Sequence, residues 1–185
     1  LLSDNLLSRE TAAAEMRAVG FENPRVTDPV YHYQLCWRPG ERPSRAQWEE
    51  AARKTIQDLG FGEHQFLVVA HDDREHFHVH VLINRIHPET YKAHYPAFSK
   101  RELDKSLREI EHKQGWQHSP GLYRWDAQLG RAVKNSREDM AAYRERGSRP
   151  DVGRVAQKLE HFQDVESLEA YAKGTPAKEL RELLR

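Results

Sequence analysis

Apolar and polar positions alternate along this chain with periods that change from segment to segment, and the changes mark elements. Ser8 reads as the N-cap of a helix, ETAAAEMRAV, closed by Gly20. VYHYQLCW (30–37) is β-branched and aromatic and predicts a strand. Ser44 caps a second helix, RAQWEEAARKTIQDL, which Gly60 ends; Trp48, Ala52, Ile56 and Leu59 recur at helical spacing and face the core. QFLVVAH (65–71) and HFHVHVLINRI (76–86), joined by DDRE, predict an antiparallel hairpin. Both runs are apolar on both faces, which places them centrally in a sheet covered by helices.

Segment 87–98 is aromatic and irregular. Ser99 with Glu102 reads as a capping box opening the helix KRELDKSLREIEHK, ended by Gly115. A polar loop with aromatics fills 116–135, Ser136 starts the helix REDMAAYRER, and GSRPDVG (147–153) resembles a linker before short helices. The expected fold is α/β (α+β): a central antiparallel sheet flanked by helices, with a C-terminal helical tail. One domain is expected over residues 1–146 and a helical extension toward a further domain over 147–185.

Composition narrows the function classes. The 185 residues contain one cysteine, Cys36, so no internal disulfide is possible, and no apolar run or signal-peptide pattern suggests membrane insertion or export. A cytoplasmic location is expected. Formal net charge is zero, which taken alone argues against a strongly basic nucleic-acid module. The distribution is uneven, however: residues 1–98 carry net −3, residues 99–150 net +4 and residues 151–185 net −1.

Of 11 histidines, four fall within HDDREHFHVH (71–80). In an extended strand His76, His78 and His80 share one face, with Leu82 and Asn84, while Phe77, Val79, Val81 and Ile83 share the other. His71 ends the partner strand. Three imidazoles within reach of one point suit a divalent transition metal and leave open positions for water or a substrate oxygen. Such an ion acts as a Lewis acid on a carbonyl or phosphoryl oxygen. His78 and His80 form the H-x-H pair. Three successive same-face positions span roughly 13 Å, wide for one ion, so His71 rather than His76 is expected as the third ligand. His76 is then a substrate contact. Asp72 or Asp73 would accept an imidazole proton and fix its tautomer. The structural alternative is a pH-sensing histidine cluster.

H-x-D-x-x-H-x-H-x-H followed by x-x-x-N resembles the third motif of conjugative relaxases, the HUH endonucleases of the MobA/VirD2-like family. VYHYQLCWRPGERPS, LGFGEHQFLVVAHDD, INRIHPETYKAHYP and SREDMAAYRERGSRPDV with VESLEAYAK are similar to other parts of such domains, so the resemblance covers about residues 5–170. It implies an antiparallel sheet flanked by helices. It implies that a tyrosine attacks one phosphodiester at the nic site of a plasmid's origin of transfer and stays joined to the 5′ phosphate. It implies His71, His78 and His80 as ligands of a divalent metal (Mg or Mn, or Zn), with Asp73 supporting a ligand. As partners it implies single-stranded origin DNA, an accessory relaxosome DNA-binding protein and the coupling protein of a type IV secretion system.

The family's nucleophilic tyrosine normally precedes a segment like SDNLLSRETAAAEM, where this chain begins, so it is expected upstream of Leu1. The seven tyrosines present, at 31, 33, 91, 95, 123, 143 and 171, do not stand in that context. Single-strand contacts are expected from basic and aromatic residues together: His76, Asn84, Arg85, Tyr91 and Lys92 after the His strand, with His87, His94 and Tyr95 among them, and Arg124 and Trp125 further on. Lys100 and Arg101 open a helix that reads mostly as solvated face. Asp28, before the central strand, is expected to orient a metal-ligand His or activate the nucleophile, if it is not simply a turn residue. The readings that compete are a rolling-circle replication initiator, a metal-stabilised single-strand-binding module without catalysis, and a metallohydrolase using bound water.

Overall fold

Four strands form one antiparallel sheet in the order β1-β3-β4-β2, and two more form a separate hairpin. The computed structural model describes residues 2–8, 10–71 and 76–145. In chain order the elements are β1 (Leu2–Asp4), α1 (Ala12–Phe21), β2 (Val30–Cys36), α2 (Arg45–Asp58), β3 (Phe66–His71), β4 (His78–Asn84), α3 (Ser99–Gln114), β5 (Tyr123–Asp126), β6 (Arg131–Lys134) and α4 (Arg137–Glu145). The mixed α/β architecture is the expected one. The expected extension over 147–185 and Asp73 lie outside the described residues.

β4 is central, paired with β3 on one side and β2 on the other, and every one of its residues is buried. Its period of two gives the sheet two different faces. Val79, Val81 and Ile83 of β4 join Tyr31, Tyr33 and Leu35 of β2 and Phe66 and Val68 of β3 in the main core. α2 and α3 cover that face through Trp48, Ala52, Ile56, Leu103, Leu107 and Ile110. Each fully buried aliphatic chain there stabilises the fold by about 1.5–3 kcal/mol. The opposite face carries His78, His80, Leu82 and Asn84 from β4. The register sets His32, Gln34 and Cys36 of β2 directly beside Leu82, His80 and His78. α1 covers the Asn84 end of this second face, where the Met16 carbonyl accepts from Asn84 Nδ2 at 2.9 Å.

Local chemistry explains the helix ends. Ser44 caps α2 in a full capping box with Gln47, and Gly115 ends α3 at φ 75°. Three ends differ from the sequence reading. α1 starts at Ala12, because Ser8 Oγ accepts from Thr11 N at 3.1 Å and holds a turn ahead of the helix. α1 also continues past Gly20 to Phe21. α3 includes Ser99 as its first residue, with Phe98 in the N-cap position and no side-chain cap, so the expected Ser99–Glu102 box does not form.

Candidate metal centre

His71 and His78 are direct partners in the β3–β4 register, and His80 follows two residues on, on the same face. The strands bring the three rings together at one end of the sheet. Ring centres lie 5.2 Å apart for His71–His78, 5.0 Å for His71–His80 and 5.0 Å for His78–His80. His76 is exposed and stands on the bend before β4, not on the strand. The row of three strand histidines therefore reduces to two, and His71 completes the triangle.

β2 contributes a layer that sequence reading missed. His32 stacks on His80 with ring centres 5.4 Å apart, and its Nε2 lies 3.1 Å from His80 Nδ1. Gln34 Nε2 lies 2.9 Å from the same nitrogen. The signal was present in the alternation of VYHYQLC, which sets His32 and Gln34 on the face opposite Tyr31 and Tyr33. His32, His78 and His80 are all buried.

The donor chemistry suits a divalent transition metal. Three imidazoles bound to one ion at about 2.1 Å have ring centres about 3.2 Å from it, hence about 4.5–5.2 Å apart for ligand angles of about 90–109°. The observed spacings fall in that window. As they stand, no group of three or more His, Cys, Asp or Glu side chains among the described residues is arranged to hold an ion. The rings of His71 and His78 are stacked within 12° of parallel, so their in-plane nitrogens run alongside one another. Convergence requires rotation about χ2, a soft torsion in histidine.

Residues 1–116, which include the sheet and the three histidines, match the model of the MobA/VirD2-like relaxase nuclease domain. The chain belongs to that relaxase family. It is similar to MobA of Acidithiobacillus ferrooxidans, 40% identical over 104 residues, which is 55% of this chain and 25% of that protein. TraI of Escherichia coli is 30% identical over 131 residues, 70% of this chain and 18% of that protein. The group II intron-interrupted relaxase LtrB of Lactococcus lactis subsp. cremoris is 33% identical over 54 residues, 29% of this chain and 10% of that protein. The matched part spans about a quarter or less of each of these relatives. No solved structure matches the chain.

Within this relaxase domain the other expected site residues are spread out. Asn84 is six residues along β4 from His78, about 20 Å away at 3.3–3.4 Å per residue. It is a fastener rather than a DNA contact: its amide donates to Met16 O and Gln65 Oε1, its oxygen accepts from Ile86 N, and it is buried. Asp28 also belongs to that far end. Its Oδ2 accepts from Arg85 Nη1 at 3.0 Å, so it is not placed to orient an imidazole of the triad. The Arg85 guanidinium, itself buried, lies between the rings of Tyr31 and Tyr95. Tyr91 and Lys92 are exposed on the turn that follows.

Arg124 is exposed on β5, and Trp125 stacks on His112 of α3 with ring centres 4.0 Å apart. Residues 116–135, read as a loop, contain the β5–β6 hairpin. Tyr31 and Tyr33 point into the main core, on the face away from the triad. Burial raises both phenols above their ordinary range, and Tyr33 OH bonds to Thr55 Oγ1 at 2.8 Å.

Proposed function

We propose that this relaxase domain nicks and rejoins one strand of a plasmid's origin-of-transfer DNA by metal-assisted transesterification. The observation that carries the reading is the triad of His71, His78 and His80, spaced for one ion, in a chain of the relaxase nuclease family. Those three residues would hold a divalent ion, Mg or Mn or Zn. When bound, the ion supplies Lewis-acid polarisation of the scissile phosphate.

The protein's own residues do the rest. Gln34 and His32 press on His80 and limit its ring orientations. Asp73 would support a ligand imidazole. The buried floor of the site raises the strength of every charge interaction within it. The nucleophile is a tyrosine. Its oxygen bonds to phosphorus as the bond to the 3′ oxygen breaks, the 3′ oxygen takes up a proton, and the 5′ phosphate stays on the protein. Rejoining reverses the step.

The domain works in the cytoplasm on single-stranded origin DNA, with an accessory relaxosome protein and the coupling protein of a type IV secretion system. Among the described residues no helix is long and apolar enough to cross a membrane. The test is incubation of the protein carrying its upstream sequence with single-stranded origin DNA and Mn²⁺. A covalent 5′ adduct on tyrosine is expected. Cleavage without any covalent product overturns the reading in favour of hydrolysis by metal-bound water.

A further inference from the structure

Segment 85–101 breaks local folding rules in a concentrated way. Phe98 adopts φ 53° and Tyr91 φ 55°, the left-handed region that bulky side chains rarely enter. Phe98 also occupies the N-cap of α3, where Ser, Thr, Asp or Asn would bond the free amides, and it makes no side-chain cap. Burial does not compensate, because Phe98 is 71% exposed, with Tyr95 at 60% and Tyr91 at 43%. Three aromatic rings therefore face solvent on a backbone that costs stability to hold. Rule-breaking of this kind concentrates at functional sites.

The surroundings are basic and fixed. Residues 85–101 contain Arg85, Lys92, Lys100 and Arg101 against a single carboxylate, Glu89, in a chain of zero net charge. Arg101 lies 5.0 Å over the Phe98 ring and Arg85 5.2 Å over the Tyr95 ring. The backbone is tied down by His87 N to Lys92 O, His94 N to Arg85 O and Asn23 Nδ2 to Tyr91 O. Exposed rings alternating with cations on a rigid support match what single-stranded nucleic acid needs: π-faces for bases and positive charge for phosphate.

We propose that Phe98, Tyr95 and Tyr91, with Arg101 and Lys92, form a base-stacking platform for the DNA strand, at the end of the sheet opposite the histidine triad. The inference rests on the reading of single-stranded DNA as the ligand. The sequence expectation reached Tyr91, Lys92 and Tyr95; the geometry adds Phe98 and the reason for its backbone.

The test uses the 185-residue chain and a fluorescein-labelled single strand of about 20 nucleotides, read by polarisation. Phe98→Asn suits both the left-handed backbone and the cap. It is expected to keep or raise Tm while weakening binding roughly fivefold or more, the range of one lost stacking contact. Phe98→Trp is expected to bind like wild type, with its fluorescence quenched by the strand. Wild-type affinity in Phe98→Asn overturns the proposal and points to a protein partner for these rings, and so does an unquenched Trp in a complex that forms. If wild type binds no single strand, the parent reading fails instead.

Discussion

Gln34 Nε2 sits 2.9 Å from His80 Nδ1 across the β2–β4 pair, one register position that joins an edge strand to the triad. An imidazole that binds metal through one nitrogen needs its other nitrogen held, and an amide can turn over to present either oxygen or nitrogen. Gln34→Ala is therefore expected to lower Mn²⁺ affinity about 10–100-fold with the fold intact. Calorimetric titration beside a circular-dichroism melt checks both parts.

Tyr33 is fully buried on the far face of the sheet, its hydroxyl bonded to Thr55 Oγ1 at 2.8 Å. Tyr33→Phe is expected to cost about 1 kcal/mol of stability and to leave metal and single-strand binding at wild-type values. Urea unfolding and polarisation measure the two. A Tyr33→Phe protein that folds but loses metal or single-strand binding would contradict this purely structural role.

His64 is 4% exposed, with Nδ1 donating to Asn84 O at 2.8 Å and the rings of His87 and His94 nearby. Burial, the largest cause, lowers its pKa in the folded state. The unfolded chain, with an ordinary value of about 6.5, then binds the proton first. Stability is full above that value and falls as pH drops below it. Urea midpoints should decrease between pH 7 and pH 5.5, and in His64→Gln this part of the decrease should disappear.

Arg108 and Glu111 form an ion pair at 3.1 Å inside α3, only 2% and 1% exposed. Glu111 also accepts from Ser119 N and so anchors the chain that follows α3. Removing one partner strands a buried charge, so Arg108→Met is expected to cost about 3–5 kcal/mol. Arg108→Met combined with Glu111→Gln should recover part of the loss, because the amide oxygen still accepts from Ser119. Chemical denaturation of both variants tests the coupling.

Long periodic segments were legible in the sequence: the β3–β4 hairpin, the capped α2 and the Gly115 stop of α3. β1 was not, because three residues carry no period and their pairing with β3 is entirely non-local. β5 and β6 were missed for a similar reason. Each has four residues, and of their eight side chains only Ala132 is buried, so hydrophobic alternation is absent. At α3 the Ser99–Glu102 pattern predicted a cap that the chain does not use, since Phe98 O already accepts from Arg101 N and Glu102 N. For the candidate site, the choice of His71 over His76 followed from strand spacing alone. His32 and Gln34 emerged only with the β2–β4 register, and Asp28 lies at the wrong end because strand length, which motif spacing does not convey, separates it from the triad.

The most direct measurement is a Mn²⁺ titration of the 185-residue chain by calorimetry. One site is expected in wild type, retained in His76→Ala and abolished in His71→Ala, His78→Ala and His80→Ala. A His78→Ala protein that folds and still binds Mn²⁺ with wild-type affinity would contradict the triad as the metal centre.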